Sequence, residues 1–190
     1  MKTIHLKKGF SLRIAGKPGR QLRKLEPPRQ VGLAPERIPF VKPRLLVKEG
    51  SAVAAGAPLF EDKRDTRIRF PSPGGGRVTH IAFGPRRVIQ KIVLELDENE
   101  EFATVDVPTP DQLDTAPRQA LVDCLLAGGV WPFLRALPFM DVANPDVTPP
   151  AILVRLGDDE PFAPDPAVYL DGRNDLFAVG IQMLGRLCDR

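Results

Sequence analysis

Apolar and polar residues alternate with a period near two through residues 47–96, interrupted at short intervals by glycine and proline. That period puts successive side chains on opposite faces of a strand, and the glycines supply close turns between short strands. The stretch divides into two mirrored halves, V-K-E-G-S-A-V-A-A-G-A-P-L-F and F-P-S-P-G-G-G-R-V-T-H-I, joined by the charged turn E-D-K-R-D-T-R. Residues 45–96 are therefore predicted to form a sandwich of short strands. Upstream, residues 4–14 read as a hairpin, and residues 21–43, rich in proline and arginine, as an irregular basic connection. Downstream the period moves toward 3.6. Thr109-Pro-Asp-Gln-Leu opens like a capped helix, and residues 117–126 continue with Ala120, Leu121, Cys124 and Leu125 at helical spacing. A second helix is predicted after Val130. The run A-I-L-V-R-L at residues 151–156, between P-P and G-D-D, has the pattern of a buried parallel strand, and residues 175–187 supply a helix after it. The acidic D-E-N-E-E at residues 97–101 marks a boundary. Two regions result: residues 1–100, a basic hairpin and β-sandwich, and residues 101–190, an acidic α/β region that is expected to be incomplete.

Composition narrows the function classes. With 190 residues and 43% hydrophobic content the chain can bury a core and is not disordered. Its apolar runs fall far short of the roughly 20 residues that cross a bilayer. Residues 1–10 alternate polar and apolar positions with lysines, which predicts no secretory signal and a cytosolic chain. Cys124, Cys188, His5 and His80 show no metal-ligand spacing, so a zinc or iron–sulfur site is not expected.

Charge changes the picture more than the total of +3 suggests. Residues 1–96 hold 21 Lys and Arg against 7 Asp and Glu, a net +14, whereas residues 97–190 hold 6 against 17, a net −11. Such asymmetry points to an anionic surface, an acidic partner, or two halves that face each other. Nucleic acid is disfavoured, because the cations come without a recognition helix, a zinc framework or interleaved stacking aromatics. An anionic membrane surface or an acidic partner is the preferred reading.

The mirrored halves resemble the lipoyl/biotinyl carrier fold, whose prosthetic group sits on a lysine at a hairpin tip. The lysine here is Lys63 of E-D-K-R. In lipoyl domains a proline follows the D-K pair eight residues later; here Pro73 lies ten residues on, a longer hairpin. Loop length sets strand register, so the modifying enzyme would meet a displaced lysine. A carrier bearing lipoate or biotin on Lys63 is one alternative function, and a free-standing binding module is another.

Four ordered blocks carry a closer resemblance: I-H-L-K-K-G-F-S-L-R-I-A-G-K-P from Ile4, L-V-K-E-G-S-A-V-A-A-G-A-P-L-F-E-D-K-R from Leu46, G-P-R-R-V-I-Q-K-I-V-L-E-L from Gly84, and G-V-W-P-F-L-R-A-L-P-F from Gly129. Together they resemble the A subunit of the sodium-translocating NADH:quinone reductase. The resemblance implies a lipoyl/biotinyl-like barrel-sandwich followed by the start of a Rossmann-like domain, in a subunit held peripherally on the inner face of the cell membrane. It implies membrane subunits of the same complex as partners, above all one with a quinone site, with flavins and NADH handled by other subunits. The isolated chain would then be inactive. Family members run well beyond this length, so the chain is expected to be an N-terminal portion or a shortened relative.

A more distant resemblance reaches the flavin-carrying subunit of respiratory complex I and the C subunit of Rnf-type complexes, where a glycine-rich turn entering a helix cradles the flavin phosphate. This chain keeps only Gly128 and Gly129 there, followed by Val130, Trp131 and Pro132. An indole crowds the approach of a phosphate and proline offers no N–H, so no FMN and no NAD are expected on this chain. Gly74–Gly75–Gly76 lacks a following helix, which makes a phosphate role weak there too. Trp131, Phe133, Leu134 and Phe139 instead surround the cation of Arg135, an environment suited to an apolar ring with carbonyl oxygens such as ubiquinone. Leu33 and Phe40, in an apolar-basic loop, are the other candidate quinone contacts, and Arg86 and Arg87 are candidates for partner docking. No acid–base pair or nucleophilic constellation accompanies them, so no catalytic residue is assigned.

Overall fold

A computed structural model of the chain describes residues 14–157 and 160–188. Its strands are β1 (Gln30–Leu33), β2 (Pro43–Leu45), β3 (Ala52–Val53), β4 (Pro58–Asp62), β5 (Asp65–Pro71), β6 (Gly76–Phe83), β7 (Ile89–Leu96), β8 (Arg135–Ala136) and β9 (Asp141–Val142). Its helices are α1 (Pro110–Leu113), α2 (Arg118–Ala127), α3 (Pro166–Tyr169) and α4 (Asn174–Gly185). The architecture is mixed α and β, a barrel-sandwich followed by an α/β region, the class predicted from the sequence. The hairpin expected at residues 4–14 falls outside the described residues apart from Ile14.

One antiparallel sheet has the order β1-β7-β6-β3 and the other β2-β4-β5. Their inner faces share one core: Leu59 and Phe60 from β4, Ile68 and Phe70 from β5, Val78 and Ile81 from β6, and Ile89, Ile92 and Leu94 from β7. Phe60 and Phe70 stack with ring centroids 4.4 Å apart. Each such side chain taken fully out of water contributes about 1.5–3 kcal/mol. Alternation alone would put Val78 and His80 on the same face. A register shift between those two positions resets the face, so His80 is exposed and Ile81 is buried. Gly76 enters β6 at φ +158, and a Cβ there would lie 2.0 Å from the carbonyl oxygen of Glu95.

The second half packs on this sandwich. α2 buries Leu121, Val122, Leu125 and Leu126. Its buried stripe is one position C-terminal to part of the predicted one, leaving Ala120 exposed and Cys124 half-buried. Burial pushes the Cys124 thiol pKa up. Thr109 caps α1, and its backbone N–H donates to Gln112 Oε1 at 2.9 Å, the reciprocal half of a capping box. Arg118 ties α2 to the later segments, donating to the carbonyls of Val147 at 2.8 Å and Leu187 at 3.2 Å.

Three sequence expectations are corrected. The connection at residues 21–43 is not wholly irregular, because Gln30–Leu33 pairs antiparallel with β7 as an edge strand. No α-helix follows Val130: Trp131–Phe133 is a single 3₁₀ turn leading into the β8–β9 hairpin. Pro132 and Pro138 cannot donate to a helical ladder, and proline in a helix interior also clashes with the preceding turn. The run at residues 151–156 is not a buried strand, since Leu153 is 81% exposed. No strand among the described residues pairs with it, so its backbone has no ladder to join.

Candidate functional site

Sequence candidates and structure meet at one end of the sandwich. β4 and β5 are joined by a two-residue turn, Lys63 and Arg64, between the paired residues Asp62 and Asp65. Charge gathers at this end, with Glu61 and Asp62 buried and Lys63 and Arg64 exposed. Arg64 donates from Nη2 to Asp62 at 2.8 Å and grips Asp141 of β9 through two bonds of 3.0 Å. Arg67 repeats the pattern, bonding Asp65 at 2.6 Å and gripping Asp146 through two bonds of 2.8 Å. Two planar guanidinium forks thus clasp the basic hairpin to the acidic loop across an open cleft of about 610 Å³.

The clasp sets the local electrostatics. Hydrogen bonds from Arg64 hold the Asp141 carboxyl below the ordinary range, and Arg67 does the same for Asp65 and Asp146. Both guanidinium pKa values are raised in turn by their carboxylate hydrogen bonds. Asp62, only 1% exposed, also accepts from the backbone N–H of Lys42 at 3.3 Å. The halves of opposite charge therefore face each other at this seam, the reading ranked below an external partner on sequence grounds. Arg23, Lys24, Arg37, Arg86, Arg87 and Lys91 form no ion pair with described residues and stay available outward.

Directly beyond the clasp lies the aromatic segment. Trp131 is 3% exposed, and its Nε1 donates to the Ala143 carbonyl at 2.7 Å, which anchors the hairpin base. Leu134 packs against the core. Phe133 and Phe139 point outward at 79% and 78% exposure, joined by exposed Leu137 and Met140. Arg135 sits between these groups, and its Nη1 is buried without a hydrogen-bond partner among the described residues. Such an orphaned donor costs about 1–3 kcal/mol unless an acceptor meets it. Phe40 is exposed at φ +63, two residues before Lys42, whose backbone is tied through Asp62 and Arg64 to Asp141. Leu33 pairs with Ile92 in the other sheet and lines a separate groove with Arg37 and Lys91.

The glycine pair has a local explanation. Gly128 and Gly129 end α2, their N–H groups donating to the carbonyls of Cys124 at 2.9 Å and Leu126 at 3.1 Å. Gly129 sits at φ +65 with room only for hydrogen, since a Cβ would come within 2.7 Å of the Pro71 ring. A helix C-terminus presents carbonyls and partial negative charge, the opposite of an anion cradle. Gly75 spends its N–H on the Glu100 carboxylate at 2.7 Å. Sequence reading missed the clasp, since its partners lie 77 and 79 residues apart. The one available signal was the opposed charge of E-D-K-R-D-T-R and the aspartates after Met140.

Comparison with known proteins covers almost the whole chain. Residues 4–97 match the NqrA N-terminal barrel-sandwich hybrid domain, and residues 116–190 match the NqrA second alpha/beta domain. The A subunit of the Na(+)-translocating NADH-quinone reductase of Pseudomonas aeruginosa (strain UCBPP-PA14) is 35% identical over 184 residues, covering 97% of this chain and 41% of that protein. The corresponding protein of Serratia proteamaculans is 37% identical over 190 residues, covering 98% of this chain and 42% of that protein. That of Rhodopirellula baltica is 36% identical over 189 residues, covering 98% and 41%. The chain spans about two-fifths of the length of these curated relatives.

Proposed function

Since this chain belongs to the NqrA family, we propose that it acts as an accessory subunit of a membrane NADH:ubiquinone oxidoreductase that couples quinone reduction to sodium export. It sits peripherally on the cytoplasmic face, docks through its basic half, and helps to shape quinone access. Flavins and NADH belong to other subunits, and the isolated chain has no turnover of its own. No helix among the described residues is long and apolar enough to cross a membrane. In this reading the partners are membrane subunits of the same complex, in particular one that holds the quinone site.

The observation that carries the quinone role is the orphaned Nη1 of Arg135 in the same segment as exposed Phe133 and Phe139. A quinone supplies what that arrangement lacks. Its carbonyl oxygen would accept from the guanidinium, and its ring would cover aromatic surface now facing water. Trp131 and Leu134 serve as the fixed base and Phe40 as a neighbouring wall, while Leu33, in the separate groove, is left out of this site. A photoreactive ubiquinone added to membranes containing the chain should label residues 133–140, with labelling lost on excess ubiquinone and strongly reduced in Arg135→Ala. Labelling confined to other subunits would remove the role.

One observation favours the carrier alternative: Lys63 is exposed at the tip of a two-residue turn held rigid on both sides by Asp62 and Arg64. Intact mass decides it. A lipoyl or biotinyl increment on Lys63 would establish the carrier, and the plain sequence mass would exclude it.

A further inference from the structure

We infer that the β6–β7 hairpin end, residues 83–88, is a contact for anionic lipid headgroups, an inference that rests on the docking reading of Arg86 and Arg87 and names what they touch. Arg86 and Arg87 occupy the left-handed region in succession, at φ 55 and φ 58. That geometry suits glycine or asparagine, and side chains as large as arginine are rare there. The turn needs two positive φ values but does not need arginine, so turn geometry does not explain the two cations. Both side chains project into solvent without an ion pair among the described residues, in contrast to Arg64 and Arg67, each held by two carboxylates.

The surroundings specify the ligand. The Arg87 guanidinium lies 5.6 Å over the Phe83 ring, and Phe83 and Val88 are 46% and 48% exposed. Arg37 and Lys91 line the adjoining groove, where Glu36 is the one acidic lining residue. A convex tip with two phosphate-matching forks, an aromatic ring and a branched aliphatic side chain fits the headgroup region, where charge meets phosphate and the apolar parts enter the acyl boundary. An acidic protein would be the other partner for such charge, but it would leave Phe83 and Val88 needing an apolar socket of matching shape. A fluid lipid layer needs none.

The test uses the purified chain and sedimentation with phosphatidylcholine vesicles, with and without phosphatidylglycerol. Binding should require phosphatidylglycerol and fall as salt rises. The double variant Arg86→Asn/Arg87→Gly places residues that accept positive φ in the turn, so the hairpin is kept. Its affinity should fall on the order of tenfold or more, since each basic residue at a charged bilayer contributes about a factor of five. Phe83→Ser should weaken binding as well, and Arg23→Gln/Lys24→Gln should leave most of it. Equal losses from both double variants would mean diffuse charge attraction and overturn the inference. Absence of phosphatidylglycerol binding would also overturn it. If the tagged chain were still recovered with membrane subunits, the accessory-subunit reading would survive, with the tip reassigned to an acidic protein surface.

Discussion

Trp131 and Phe139 belong to the same aromatic segment and have opposite environments, which gives them separable roles. Trp131 is buried with its N–H bonded to Ala143, so Trp131→Ala should cost about 3–5 kcal/mol in urea denaturation. Phe139→Ala removes a side chain already facing water and should change stability by less than about 0.5 kcal/mol while reducing quinone labelling. A large stability loss at Phe139 would mean the ring is structural. Spacing of aromatic residues singled out the segment but not which rings turn inward, because that depends on where Ala143 and the core arrive from elsewhere. Gly129 teaches the same lesson. Its need for hydrogen arises from Pro71 in a distant strand, so Gly129→Ala should destabilise by about 1–3 kcal/mol in the same assay.

At the scale of elements, legibility followed the strength of local signals. The strands of residues 45–96 were readable because alternation, glycine turns and charge at the hairpin tip agree. β1 was not, because a four-residue edge strand beginning at Gln30 has little pattern of its own and is held by its β7 partner. The helix expected after Val130 failed where apolar spacing competed with Pro132 and Pro138, and proline prevailed. Residues 151–156 have a strand's composition without a partner strand among the described residues. Accordingly Leu153→Lys should leave thermal stability within about 0.5 kcal/mol of the parent, where a buried strand position would lose several.

At the scale of the molecule, the opposed charge of the two halves is partly resolved inside the fold. The clasp joins hairpin to loop through Arg64 and Arg67, and its effect on stability has a definite sign. Asp65 and Asp141 have folded pKa values below their unfolded ones, so their contribution is present above about pH 4 and is lost as pH falls through the folded values. Denaturation across an acid series should show stability declining below about pH 4, with a shallower decline in Arg64→Gln/Arg67→Gln. Identical acid slopes would mean that the clasp adds nothing. The pairs are exposed and screened by solvent, so the clasp orients the aromatic end more than it holds the fold. The cations left outside it, Arg86 and Arg87 among them, are the ones free to meet a membrane.

Affinity recovery of the tagged chain from its native membranes, followed by assay of sodium-stimulated NADH:quinone reduction in the eluate, bears on the accessory-subunit role at its root. Flavin-bearing membrane subunits and the activity should come down together, and both should be lost when the basic docking surface is reversed in charge. A chain recovered alone, with the reductase activity left behind in the membranes, would contradict that role.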